Sequence, residues 1–183
     1  MKLSTLLILT ACLTSGLAHA ERADREKPVH LESDKVTVDD IKRVHIFEGN
    51  VVLTQGTLSI RTAKLVVTQD AQGFQKGVAS GGADGLARFR QKRDGKEEWV
   101  DGEGERIEYD SRSEKAEFFV RAYVRSGVDE VRGHYIQYDG MTEQYVVTAV
   151  PGAKPGSAQG RVSAVIQPKN AKNAAAATPP AAK

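Results

Sequence analysis

Cysteine is almost absent: one residue in 183, Cys12, inside an apolar run near the start. A chain with a single cysteine forms no internal disulfide, so its fold must stand on core packing. Histidine is sparse too. His30, His45 and His134 are far apart, and no H-x-H pair exists on which a zinc or iron site could be built. Aromatics amount to one Trp, five Tyr and five Phe, and the 26 basic residues nearly cancel the 24 acidic ones. A net charge of +2 lacks the concentrated basic excess needed to grip a nucleic-acid backbone. No G-x-S-x-G elbow, Walker sequence or cysteine nucleophile occurs beyond residue 20. Gly102-Glu103-Gly104 has two glycines of a dinucleotide fingerprint, but its acidic neighbours would repel phosphate and no helix follows. Glu97-Glu98 and Asp129-Glu130 are carboxylate pairs at turns, where solvated charge is the ordinary state. These absences argue against an enzyme, and no cofactor or metal is expected.

The first twenty residues read as an address. Met1-Lys2 precedes an apolar run from Leu3 to Leu17, then Ala18-His19-Ala20, the order of a cleaved secretory signal. The run is shorter than the ~20 residues that span a bilayer. Cleavage after Ala20 would export a cysteine-free chain. A second reading stays open: Leu9-Thr10-Ala11-Cys12 resembles a lipobox, which would make Cys12 an acylated first residue.

Proline is missing from residues 29–150, although the chain has six. An unbroken backbone ladder tolerates no internal proline, and period-2 alternation recurs through this span. Val36-Thr37-Val38, Leu58-Ser59-Ile60, Ile107-Glu108-Tyr109, Ile136-Gln137-Tyr138 and Tyr145-Val146-Val147 carry it, punctuated between strands by Gly, Asp and Asn, Gly49-Asn50 among them. Such runs predict an all-β fold of many short antiparallel strands, as a sandwich, a barrel or a solenoid-like stack. Asp34-Lys35-Val36-Thr37-Val38-Asp39 matches Glu105-Arg106-Ile107-Glu108-Tyr109-Asp110 at an offset of 71, as Ile60-Arg61 matches Val131-Arg132. Phe47-x-x-x-Val51 matches Phe119-x-x-x-Tyr123 at 72, a slip that a bulge would absorb. One β-unit is therefore expected to repeat along a stack, each copy burying its neighbour. The organisation predicted is a signal at 1–20, a loose charged arm at 21–27, a β-domain at 28–167 with a last weak strand after Gly160, and a disordered Ala/Asn/Lys/Pro tail at 168–183.

The run Arg88-Phe89-Arg90-Gln91-Lys92-Arg93 concentrates charge. On a strand its cations and Phe89 face opposite ways, giving either a solvated hairpin tip or a rim whose guanidinium groups meet anionic headgroups.

Three segments carry a resemblance. Pro28-Val29-His30-Leu31-Glu32-Ser33-Asp34, Phe47-Glu48-Gly49-Asn50-Val51-Val52-Leu53-Thr54-Gln55-Gly56 and Ile60-x-x-x-Lys64-Leu65-Val66-Val67 resemble the OstA-like (LptA) family of periplasmic lipopolysaccharide-transport proteins. The resemblance covers roughly residues 28–150. It implies a periplasmic β-jellyroll open like a V that carries lipopolysaccharide (lipid A). It also implies head-to-tail oligomers bridging an LptC-like inner-membrane protein and an LptD-like outer-membrane protein. Elementary physics agrees: at ~0.8 kcal/mol per exposed CH₂, a chain of about twelve carbons costs on the order of 10 kcal/mol in water. Alternating strands supply an apolar trough, because every second side chain points inward. By resemblance, lipid contacts fall on Val29, Phe89 and Tyr109. The alternation adds Leu31, Val36, Val38, Ile60, Ile107 and Ile136, with Arg88 and Arg90 as headgroup contacts.

A stack that does not close has two edges, expected at the strand beginning near Val29 and at Tyr145, Val146 and Val147. The latter is apolar on both faces and has no lysine guard, so a partner strand is expected to add there. Two other readings remain: an OstA-like scaffold for outer-membrane assembly that binds proteins but no lipid, and a jellyroll carbohydrate enzyme or lectin, for which Trp99 alone is a thin basis.

Overall fold

The alternating stretches fold as twelve strands in one antiparallel sheet. They are β1 (His30–Glu32), β2 (Lys35–Asp39), β3 (Val44–Gln55), β4 (Leu58–Asp70), β5 (Gly73–Ser80), β6 (Ala87–Lys92), β7 (Trp99–Gly104), β8 (Arg106–Asp110), β9 (Lys115–Ser126), β10 (Asp129–Asp139), β11 (Gln144–Thr148) and β12 (Ser163–Val165). The structure, a computed structural model, describes residues 24–167 apart from positions 94, 155, 158 and 159. The signal at 1–20, Cys12 and the tail at 168–183 lie outside the described residues.

The four long strands β3, β4, β9 and β10 each change partners midway. β3 pairs with β2 through residues 44–48 and with β1 through 52–54. β4 pairs with β6 through 59–61 and then with β5 through 64–70. β9 and β10 repeat the exchange, with β8 and β11 at one end and β7 and β12 at the other. Two walls result. The first runs β2-β3-β4-β5-β8-β9-β10-β11, and the second runs β1-β3-β4-β6-β7-β9-β10-β12. The middles of the long strands form a shared spine, and the turns at their ends form the two rims.

The spine has a local cause. Gly49 and Asn50 take left-handed backbone (φ 80 and 45), as do Val120 and Arg121 (φ 58 and 53), 71 positions later. These pairs are the bulges that let a strand leave one wall and enter the other. Gly49-Asn50, read in the sequence as punctuation between strands, therefore lies inside β3. Asn50 Nδ2 donates to Asp34 at 2.9 Å and helps fix the bend. The offset of 71 holds from strand to strand, β3 onto β9 and β4 onto β10, with rim turns at Gly56 and Gly127 (φ 57 and 60). No slip to 72 occurs: Phe47 corresponds to Phe118, and both face inward, whereas Phe119 faces out beneath the Arg106 guanidinium, 3.9 Å from its ring centroid.

The charged arm is tied where it is described. Residues Asp24–Glu26 form a single 3-10 turn, and the buried Asp24 carboxylate accepts from Thr57 N at 2.9 Å and Thr57 Oγ1 at 2.5 Å. The last strand expected after Gly160 is β12, paired with Glu130–Arg132 of β10.

Candidate functional site

Cross-strand partners share a face, so the registers trace what lines the space between the walls. In the first wall, one file runs Val36, Phe47, Leu65, Ala79, Ile107, Phe118, Ile136 and Val147. The next runs Val38, His45, Val67, Gly77, Tyr109, Ala116, Tyr138 and Tyr145. In the second wall the matching file is Leu31, Leu53, Ile60, Phe89, Gly102, Val124, Val131 and Ala164. Thus Leu31, Val36, Val38, Ile60, Phe89, Ile107, Tyr109 and Ile136 all lie on inward files, and Val29 packs against the core they form. Val36 and Val38 are each 51% exposed, because β2 is an edge strand with no neighbour beyond it among the described residues.

The walls interlock at mid-stack. Phe89 meets Tyr109 with ring centroids 6.0 Å apart and Phe118 edge-on at 5.7 Å. Gly102 provides the socket: a Cβ there would stand 2.3 Å from Phe118 Cε1. Phe118 was not singled out from the sequence, although an unbroken offset of 71 from Phe47 selects it; Gly102-Glu103-Gly104, for which the sequence suggested a turn, lies instead inside β7. Towards the β1–β2 end the walls part around a cavity of about 710 Å³, with Val29, Leu31 and Gln55 on one side and Val67, Phe74 and Arg112 on the other.

Arg88 and Arg90 face away from this space. Arg88 pairs with Asp84 and Glu103, and Arg90 lies 3.4 Å from Asp101 and 4.4 Å over the Trp99 ring. At the far edge, Tyr145 and Val147 pack on the core while Val146 is exposed on the outer face.

At the β11 end the rims are bridged. Arg93, just after β6 of the second wall, holds Glu143, just before β11 of the first, through Nε–Oε1 at 3.1 Å and Nη2–Oε2 at 2.5 Å. Lys96 Nζ reaches the same Oε2 at 2.7 Å, and Glu98 takes the remaining side of Arg93 at 2.7 Å. The side chains of Arg93 and Glu143 are only 18% and 29% exposed. The Arg93 hydrogen bond and then that from Lys96 hold the Glu143 carboxyl below its ordinary value, and the same bond raises Arg93. Tyr138 and Tyr145 stack at 4.9 Å, and burial pushes both hydroxyls up.

Comparison with known proteins places this architecture. A family described as LptA/(LptD N-terminal domain) LPS transport protein matches residues 30–144. The chain is 31% identical to lipopolysaccharide export system protein LptH of Pseudomonas aeruginosa, over 88% of this chain and 91% of that one. It is 30% identical to lipopolysaccharide export system protein LptA of Escherichia coli K12, over 75% and 74%. The crystal structure of LptH, titled the LptA homologous periplasmic component of the lipopolysaccharide transport device of Pseudomonas aeruginosa, superposes with a TM-score of 0.71 at 25% identity, covering 80% of this chain and 99% of that one. The twelve strands are thus a β-jellyroll, and the chain belongs to the LptA/LptD N-terminal family of lipopolysaccharide transport proteins, which are carriers and not enzymes.

Proposed function

We propose that this protein works in the periplasm, sheltering the acyl chains of lipid A between its two walls and linking inner- and outer-membrane export components. The observation that carries the reading is the set of inward files, apolar across the strands of each wall with few interruptions. Acyl chains laid along the stack would exchange water for Leu, Ile, Val and aromatic side chains, at roughly 25 cal/mol per Å² of apolar surface covered. Linking is supported by the two ends of the sheet that are unpaired among the described residues, β1 with β2 and β11 with β12. The family also takes in an LptD N-terminal domain, so an LptD-like partner would offer a sheet of the same kind for edge addition. An LptC-like partner at the other end and a second copy of this chain would use the same backbone chemistry.

A photoreactive residue at Tyr109 in intact cells should crosslink to lipopolysaccharide, whereas one at the outward-facing Lys115 should not. Purified protein should bind lipid A saturably and lose that binding on Tyr109→Asp. A second reading, a protein-binding scaffold, is favoured by one feature: Phe89, Tyr109 and Phe118 already fill the middle of the space. Only protein adducts from Tyr109 would select it.

A further inference from the structure

We propose that Arg93 and Lys96 form a phosphate-receiving site on the rim, and that Glu143 occupies it as an internal stand-in until an anionic headgroup displaces it. The inference deepens the lipid-sheltering function and rests on it.

Two cations converge on one carboxylate there, Arg93 through Nε and Nη2 and Lys96 through Nζ at 2.7 Å. A planar guanidinium fork accepts phosphate in the geometry it uses for carboxylate, and a phosphate monoester brings more charge and a third terminal oxygen. The placement is what distinguishes this pair from the other cations. Arg88 and Arg90 sit on the outer face, each paired with a carboxylate of its own wall. Arg112, on the rim of the open cavity, is held by Asp70 of its own wall. Arg93 and Lys96 belong to one wall, and the carboxylate they hold belongs to the other. Exchange of Glu143 for phosphate therefore severs an ionic tie between the rims.

Directly along β11 from Glu143 lies Tyr145, stacked on Tyr138 over the trough interior. An acyl chain entering beneath that pair would leave its glycosyl phosphate level with the rim. Lipid A carries both parts, phosphate on the sugar and chains below it. A phosphorylated lipid would then open the β11 end of the trough as it binds, while a neutral lipid would meet the closed tie. The free energy for opening comes from the phosphate's preference for the open rim. Glu98 stays on Arg93 through the exchange and keeps the guanidinium oriented.

The test titrates the full-length protein with lipid A bearing its phosphates, with the same lipid dephosphorylated, and with inorganic phosphate. Glu143→Gln should tighten binding of the phosphorylated lipid about tenfold, and Arg93→Gln should weaken it about tenfold. Lys96→Gln, on an exposed loop where folding is not at stake, should weaken it by a smaller factor. Dephosphorylated lipid should bind the wild type more weakly than the phosphorylated lipid does, and should bind Glu143→Gln and Arg93→Gln more tightly than the wild type, because neither variant can close the tie. Inorganic phosphate that binds Glu143→Gln and competes with the lipid identifies a general phosphate site. If it does not bind, the site needs the phosphate presented on the lipid; either result supports the proposal. Lipid binding that ignores both phosphate and Glu143, in variants whose circular dichroism is unchanged, would overturn the site while leaving the trough standing. If neither lipid binds the wild type, the sheltering function fails and the site falls with it.

Discussion

Phe89 of β6 and Phe118 of β9 meet edge to face, ring centroids 5.7 Å apart, and they belong to opposite walls of the trough. Their contact is the midpoint of the molecule's core. Phe118→Ala should cost about 3–5 kcal/mol of unfolding free energy, the usual range for truncating a buried phenylalanine. Phe89→Ala should cost a similar amount, since that ring is buried almost as completely. The double variant should cost less than the two losses together, because each ring is part of the other's burial. Urea unfolding of the four proteins measures this, and strict additivity would show that the rings do not depend on each other.

Gly102 is glycine because Phe118 needs the space. A Cβ there would lie 2.3 and 2.4 Å from two atoms of the Phe118 ring, which is fully buried and fenced by Phe89. Gly102→Ala should therefore destabilise by about 1–3 kcal/mol through overpacking. Adding Phe118→Leu should recover part of that loss, because the branched chain vacates the ring edge. Thermal melts of the single and double variants check it; no recovery would place the strain elsewhere.

The tie between Arg93 and Glu143 has a pH signature. The folded protein holds the Glu143 carboxyl below its ordinary value of 4.5, so the unfolded chain takes up that proton first as pH falls. The stabilisation is fully present above pH 4.5 and is lost as pH drops below it through the folded value. Glu143→Gln lacks this ionisation. The stability gap between wild type and variant should be constant at neutral pH and shrink below about pH 4.5. Chemical denaturation from pH 3 to 7 would show it, and a gap that did not narrow would mean the tie contributes through shape and not charge.

Much of this was legible because the side-chain period of a strand is two and the repeat is regular. Alternation put Leu31, Val36, Val38, Ile60, Ile107 and Ile136 on one face, the resemblance added Tyr109, and the registers place all of them on inward files. It failed where two aromatics are adjacent. Either Phe118 or Phe119 could face inward, and a slip of one residue exchanges the faces. Gly49-Asn50 was misread for a related reason, since a turn and a bulge demand the same left-handed backbone. The Arg93–Glu143 tie left no local trace, because its members are 50 positions apart and meet only when the two walls close. Asp24 was hidden among charged neighbours, and only the fold brings it to Thr57.

The β11 edge supplies the remaining test. Tyr145 and Val147 turn inward to the core while Val146 stands exposed, so β11 offers an apolar strand with one side unpaired among the described residues. Edge strands that must not pair are commonly guarded by lysine, and this one has none. Val146→Lys would install the guard on the outer face without removing a backbone donor, leaving the β10–β11 ladder intact. Self-association, followed by sedimentation velocity across a concentration series, should weaken several-fold while the circular dichroism of the monomer stays the same. Binding of lipid A should be unaffected, since Val146 faces away from the trough. Oligomers as strong as those of the unmodified chain would move the linking surface away from β11, leaving the β1–β2 edge or the outer faces of the walls to carry it.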